Sequence, residues 1–551
     1  LRIAGSYRKR DGYIDKIVAP GGFTGANRDP VGASQIVKDV NPDKSFSLRA
    51  ALLLKLGETV EITPSVFHQN TRGGVGSMDV PPKAGDQRRM VLADEYLRDK
   101  VTIANLLVKA DLGAVELLSS STINRRHSGF SEDGSDYLRE TFLPSVGLPR
   151  VAVIGNFDGT GREKEFSQEV RLTTTGKGPF GLVVGAFYED KKTSGTSLVQ
   201  SSDLLVKFPI AALFYPQGIL FSTASEGTRK QFALFGEASY DITEKLNLSA
   251  GLRYYDYKLT STQLAPTAVT RSKEDGFSPR ASLSYKLSPG NLVYATASRG
   301  FRPGGPGRRL TPLFATRCRA QYAAAGIGID ADGTVDPYGA DSLWNYEVGL
   351  KTQTSDRKLT FNAAAYSIDW KNIQQLYFPS CGAASTQNFG KARIRGLEAD
   401  FNLKLVDQFA LFGGVNFNSA KIAHDIPELG VLKGTALQNT PKFSANLNAR
   451  YGFDGPFGSQ AHILANVRHI GKSFRDFDRT NPAKYQDKYT LVGLRAGMDF
   501  GAVEATLYVD NLFDKAPVIS NQLSSFGLIP SRERGFTVQP RTAGVSFRAD
   551  F

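Results

Sequence analysis

The sequence predicts an all-β fold, a transmembrane antiparallel β-barrel, and three observations carry that prediction. Apolar and polar residues alternate with period two through segments of roughly 9–14 residues, the length of a tilted strand crossing a bilayer. The connections between those segments are alternately short and long. No stretch of the 551 residues approaches the roughly 18 consecutive apolar residues of a membrane helix.

The alternation is clear in four segments. Leu246, Leu248, Ala250, Leu252 and Tyr254 share one face, and Asn247, Ser249, Gly251 and Arg253 the other. Phe443, Ala445, Leu447, Ala449 and Tyr451 oppose Ser444, Asn446, Asn448 and Arg450. Val503, Ala505, Leu507 and Val509 oppose Glu504, Thr506, Tyr508 and Asp510, and Leu397, Ala399, Phe401 and Leu403 oppose Glu398, Asp400 and Asn402. Successive strand side chains point to opposite faces, so each segment has one greasy and one wet side. A soluble sandwich alternates too, but its strands are usually about 5–6 residues long.

Read this way, the chain holds twenty strands, at 1–9, 44–55, 58–70, 99–109, 112–123, 163–175, 179–190, 229–242, 246–257, 275–287, 289–301, 342–353, 358–371, 392–405, 408–420, 441–452, 459–470, 488–500, 503–511 and 541–551. Leu56-Gly-Glu58, Thr175-Gly-Lys-Gly178, Leu287-Ser-Pro-Gly290, Thr354-Ser-Asp-Arg357 and Phe500-Gly-Ala502 are short turns. The stretches 10–43, 124–162, 191–228, 302–341 and 512–540 are long loops. Counting back from Phe551 puts the short turns in the periplasm and the long loops outside the cell. Backbone groups find no water in hydrocarbon, so a spanning sheet must close on itself. Tyr254, Tyr255, Tyr257, Tyr294 and Phe301 sit near strand ends and suit an aromatic girdle, although ordinary β-propensity explains them nearly as well.

The formal charge is +13. The Lys and Arg are dispersed with no nucleic-acid module, which fits a solvated surface facing lipid and lipopolysaccharide. No catalytic constellation is present, so the chain reads as a non-enzyme without cofactor. Gly300–Gly307 lacks the strand-then-helix context of a phosphate loop. His68, His127 and His424 fall in or near the expected loops and His469 near a strand top, without the spacing of a metal site.

Several phrases resemble those of TonB-dependent receptors: Tyr508-Val-Asp-Asn-Leu-Phe-Asp-Lys515, Tyr294-Ala-Thr-Ala-Ser-Arg-Gly-Phe-Arg-Pro-Gly-Gly305, Asn345-Tyr-Glu-Val-Gly-Leu-Lys351, Phe361-Asn-Ala-Ala-Ala-Tyr366 and Arg395-Gly-Leu-Glu-Ala-Asp400. Leu1 to Ile14 is similar to an early barrel strand and its loop. Terminal Phe551 resembles the signal read by the outer-membrane barrel-assembly machinery. The resemblance implies an outer-membrane receptor for energy-coupled uptake of a scarce nutrient, with an iron–siderophore complex the first expectation. Cobalamin, haem, oligosaccharide and a passive porin-like channel are the alternatives. It implies the TonB energy-coupling complex as partner. Family members carry a plug ahead of a barrel of about 22 strands. Residues 1–551 therefore read as the barrel domain, N-terminally truncated, without plug, TonB box or first hairpin, and with the export signal upstream or removed.

Two further expectations concern the extracellular side. Cys318 and Cys381 fall in successive outer loops of an exported chain, so a disulfide is expected between them, two free thiols being the alternative. Arg302, Arg308, Arg309, Arg317 and Arg319 in one loop and Arg532 and Arg534 in the last could clamp an anionic ligand. Of these, Arg302, Arg308, Arg309, Arg532 and Arg534 are the candidate ligand contacts, against the plainer reading of solvation or lipopolysaccharide contact.

Overall fold

The computed structural model describes residues 1–24, 29–79, 87–176, 178–264, 267–377, 379, 381–475, 477, 485–523 and 533–549. One antiparallel sheet holds 21 strand segments. Two of them, Asp43–Ala51 and Leu54–Leu56, are halves of one interrupted strand, so the barrel wall has twenty strands. Opposite the interruption lies Pro64, which has no N–H to give the ladder; its carbonyl still accepts from Leu52 N at 3.0 Å.

The strands are β1 (Arg2–Arg10), β2 (Asp43–Ala51), β3 (Val60–Gly73), β4 (Tyr96–Asp111), β5 (Val115–Asp133), β6 (Asn156–Thr174), β7 (Phe180–Gln200), β8 (Ile219–Asp241), β9 (Leu246–Leu264) and β10 (Thr267–Ser288). They continue as β11 (Asn291–Arg302), β12 (Asp341–Gln353), β13 (Leu359–Lys371), β14 (Lys391–Val406), β15 (Phe409–Ile422), β16 (Phe443–Asp454), β17 (Gln460–Ile470), β18 (Tyr489–Asp499), β19 (Val503–Asp510) and β20 (Thr542–Ala549). Each is paired with its sequence neighbours, from β1 on β2 through to β19 on β20. Among the described residues no register joins β1 to β20: β1 pairs with β2 and β20 with β19.

Register carries the alternation from strand to strand. Leu248 faces Leu283, Ala250 faces Ala281, Leu252 faces Pro279 and Tyr254 faces Phe277 across β9 and β10. One greasy face thus continues around the wall, and its side chains point outward: Leu252 is 49 % and Phe277 50 % exposed. Lipid is the solvent that makes this exposure stable. No helix of the described residues is long and apolar enough to cross a membrane.

The short turns use one local device twice. Asp111 Oδ1 accepts from Gly113 N, and Asp499 Oδ1 from Gly501 N, both at 2.8 Å. Both glycines have positive φ (85° and 90°), which L side chains rarely adopt.

Two expectations need correction. Strands β5 to β10 are 19 to 23 residues long and absorb much of the stretches 124–162 and 191–228 expected to be loop. A span needs only about 9–11 residues, so their upper halves stand outside the membrane. There both faces meet water, and the apolar alternation that marks a strand is lost. His127 accordingly lies within β5, not in a loop, whereas His68 lies within β3, near the end of the expected strand 58–70.

The outward face gives a test. Leu252→Arg places a charge near the middle of the apolar band. It should cost about 2–4 kcal/mol in denaturant unfolding from lipid vesicles. The neighbouring lumen-facing change Arg253→Leu should cost far less.

Candidate functional site

On the extracellular side three loops, residues 303–340, 372–390 and 423–442, share one apolar core. In the first, Pro312–Ala324 forms the helix α1, with proline in its first turn. Ala315, Cys318 and Tyr322 fall on one face of α1 at helical spacing and are buried. That stripe is short and only partly aliphatic, which hid the helix in the sequence. Tyr322 is fully buried, donates its hydroxyl to Ala383 O at 2.9 Å, and meets Tyr377 edge to face at 5.3 Å. Burial pushes its phenol above the usual value, so it stays a donor at physiological pH. Cys318 and Cys381 form a disulfide between the first and second loops, with Cα atoms 5.3 Å apart.

The base of the first loop is pinned from the lumen side. The Glu274 carboxylate accepts from Gly304 N at 2.8 Å and Ala340 N at 2.6 Å, gathering both ends of the loop. A Cβ on Gly304 would lie 2.3 Å from Tyr338 O, so only glycine fits this close approach. The β10–β11 ladder stops at Arg280 and Ser298, whereas β9 and β10 stay paired to Leu264 and Thr267. Phe301, on the outward side of β11 by alternation, stacks at 3.7 Å on Tyr255 from the inward side of β9. The top of β11 has therefore slipped inside the β9–β10 hairpin, carrying the loop over the lumen.

The candidate arginines are placed as follows. Arg302 holds the buried Asp341 carboxylate through Nε at 2.9 Å and through NH2, with its guanidinium over Trp370 at 5.1 Å. Arg308 donates to Ala384 O at 3.1 Å, tying the first loop to the second, and remains exposed. Arg309 donates to Asp332 O and, at 3.1 Å, to Thr267 O. Arg319 reaches Ile329 O and Asp330 O, and Arg317 is exposed on α1. Arg534 is buried, on a short strand paired with Ser77–Asp79. It lies 3.4 Å from Glu95, the carboxylate that also takes Arg89 at 2.6 Å and Asp133 N at 2.9 Å. Arg532 and Phe551 lie outside the described residues.

Inside the barrel a cavity of about 790 Å³ is bordered by Tyr294, Asn362, Glu398, Asp400, Asn446 and Arg468. This wall is polar and suits water or a packed polar partner. A second cavity, about 630 Å³, is bordered by the lipid-facing side chains of Leu248, Ala281, Leu283, Ala295 and Val348. Among the described residues no group of three or more His, Cys, Asp and Glu could hold a metal ion. His68 is bonded to Thr102 and His469 to Thr490.

The disulfide bridges residues 63 apart in sequence. The chain-entropy model would give such a loop about 4 kcal/mol. Pairing of β12 with β13 already draws the two loops together, so the real gain is smaller. Cys318→Ser with Cys381→Ser should leave the barrel folded. Limited proteolysis should then cut within 303–340 at least about tenfold faster, as expected for a loop unit of low local stability. Unchanged cleavage would mean the apolar core alone holds the loops.

Residues 68–512 match the family model described as TonB dependent receptor-like, beta-barrel. The metal-pseudopaline receptor CntO of Pseudomonas aeruginosa is 28% identical over 262 residues, 47% of this chain and 31% of the relative. The ferrichrome outer membrane transporter/phage receptor of Escherichia coli is 26% identical over 285 residues, 50% of this chain and 33% of the relative. The chain thus spans about a third of the length of the curated relatives it matches. Among solved structures, the ferric yersiniabactin uptake receptor FyuA of Yersinia pestis superposes with TM-score 0.74 at 18% identity, covering 100% of this chain and 75% of that one. The ferripyoverdine receptor of P. aeruginosa superposes with TM-score 0.69 at 17% identity, covering 100% and 67%.

Proposed function

Because the chain belongs to the TonB-dependent receptor family through its β-barrel, and so to the outer membrane, we propose that its parent protein takes up a metal–siderophore complex with energy supplied through TonB. One observation carries this reading. The relatives' names specify a metal-pseudopaline, a ferrichrome, a ferric pyoverdine or a catecholate siderophore. The mouth suits such a ligand in kind, because its loops carry exposed arginine side chains. A chelate carrying carboxylates or other anionic oxygens would be held by charge-assisted bonds. Arg308 and Arg317 have exposed guanidinium groups for that role, whereas Arg302 is engaged by Asp341.

We further propose that residues 1–551 are the barrel unit of a longer receptor. Among the described residues no register joins β1 to β20, and edges left open would cost several kcal/mol per unpaired backbone group in hydrocarbon. A hairpin from outside these residues would cover both edges, and a plug would fill the lumen against the polar wall around Glu398, Asp400 and Arg468.

Radiolabelled iron uptake in the parent bacterium tests the transport reading. Deleting the gene should abolish uptake of one ferric siderophore, and complementation should restore it only while TonB is present. Uptake that is independent of TonB would favour a passive channel. Arg308→Ala should weaken binding of that siderophore about tenfold, in line with roughly 1.5–3 kcal/mol for a hydrogen bond to a charged group.

A further inference from the structure

The wall parts along one line toward the extracellular side. Strands β9 and β10 stay paired up to Leu264 and Thr267, but β10 and β11 only up to Arg280 and Ser298. Strand β11 itself runs on to Arg302, paired with β12 as far as Asp341. Among the described residues no ladder covers the other edge of 267–279 on β10, or the β10 side of 299–302 on β11. Two side chains show which way the β10 edge points. Arg299 donates to Phe277 O at 3.4 Å, and Arg309 to Thr267 O at 3.1 Å. In an antiparallel ladder a residue turns its N–H and C=O to the same neighbour, and the next residue turns the other way. Every second residue from Thr267 through Phe277 to Pro279 therefore presents its backbone to the open side.

Pro279 explains where the ladder stops. It is the first residue past Arg280, and the N–H that β11 would need there is the one proline lacks. Beyond that break the two edges match. Continuing the register of Arg280 with Ser298 sets Ser278 opposite Gly300 and Phe277 opposite Phe301. Phe301 would then join Phe277 on the outward face, above Leu283, Ala281 and Pro279. Instead Phe301 is held inside, stacked on Tyr255 at 3.7 Å with Tyr257 at 6.0 Å. Gly276 makes room for the Tyr255 ring, since a Cβ there would lie 2.6 Å from the hydroxyl. Glu274 fixes the same position through Gly304 N and Ala340 N.

We propose that the β10–β11 seam is a two-position gate. The top of β11 exchanges between the inward position, stacked on Tyr255, and an edge-paired position, zipped onto β10 through Phe277 and Phe301. Each position has a few hydrogen bonds and one aromatic contact, so the two lie close in free energy. The inward position keeps the stack and two bonds to a carboxylate. The edge-paired position gains ladder bonds at Phe277 and at Pro279 O and sets Phe301 beside Phe277. A packed element with two such arrangements switches as a unit. Residues 303–340 begin where β11 ends and finish where β12 starts, so they move inward with the stack and outward with the zip. Glu274 and Tyr255 form the latch, and Pro279 keeps the zip from closing for good. The gate governs the mouth that the proposed ligand enters, and its purpose rests on that reading. Its test reads strand pairing and not transport, so the two stand or fall separately.

The full-length receptor is studied in the outer membrane of its own bacterium. Ser278→Cys with Gly300→Cys marks the edge-paired position, because directly opposite residues bring their Cβ atoms to about 4.5–5.5 Å. Gly300 has room for the change, with Leu343 lying 3.7 Å from a Cβ. Ser282→Cys with Thr296→Cys, opposite each other in the present register, is the control. Bridges formed under mild oxidation are counted by mass spectrometry of the linked peptides, which separates them from Cys318–Cys381. The control pair should bridge fast in every background. The 278–300 pair should bridge more slowly, and Glu274→Gln or Tyr255→Ala should speed it at least about tenfold. Pro279→Ala supplies the missing N–H and should speed it about threefold. If Tyr255→Ala fails to assemble, Glu274→Gln and Pro279→Ala decide the matter. No 278–300 bridge in any background, while the control forms, would overturn the proposal. So would a 278–300 bridge whose rate ignores Glu274, Tyr255 and Pro279, since that is fraying of a strand end and not exchange between two held positions.

Discussion

Every backbone N–H and C=O that enters hydrocarbon must find its partner within the protein, and the rest of this structure follows from that requirement. A strand cannot satisfy itself, so strands pair with neighbours in register, and the sheet curls toward closure. Pairing by nearest neighbours needs only short links on one side, which the Asp–x–Gly turns at Asp111–Gly113 and Asp499–Gly501 supply. Side-chain alternation then assigns one face to lipid and the other to the lumen. Even the proline in β3 respects the rule, since its carbonyl is taken by Leu52 where the ladder breaks.

Above the membrane the constraint is lifted, and a different economy appears. The mouth loops can bury apolar side chains against each other, and they do so around Tyr322, Tyr377 and the Cys318–Cys381 bridge. A second loop pair, 134–155 and 201–218, builds its own core around Leu138, Leu143 and Leu204. Buried charge is tolerated where several partners converge, as on Glu95, which gathers Arg89, Arg534 and the Asp133 amide. The loops are therefore folded units mounted on a rigid wall, as binding elements usually are.

How much of this was legible in the sequence depended on where water is. Within the bilayer one face must be apolar, and β9, β16 and β19 declared themselves through Leu248 to Tyr254, Phe443 to Tyr451 and Val503 to Val509. In the upper halves, runs such as Arg125-Arg126-His127-Ser128 are polar on both faces, so they read as loop although they are ladder-paired strand. Helix α1 was missed because its inward stripe is Ala315, Cys318 and Tyr322. The basic residues looked dispersed along the chain, and only the cross-strand register brings Arg125, Lys164 and Lys192 side by side. The candidate arginines were right in type for the mouth, but partners such as Asp341 and Glu95 are distant in sequence and assign Arg302 and Arg534 structural contacts.

The central claim is that strict alternation divides this wall between lipid and lumen. It is tested most directly by placing single cysteines along β9 from Leu248 to Tyr254, labelling each with a fluorophore in lipid vesicles, and comparing quenching by a lipid-borne and a water-borne quencher. Positions 248, 250, 252 and 254 should be quenched from the lipid, and 249, 251 and 253 from water, with period two. Quenching that rises and falls smoothly along the strand, or a period of 3.6, would contradict the account.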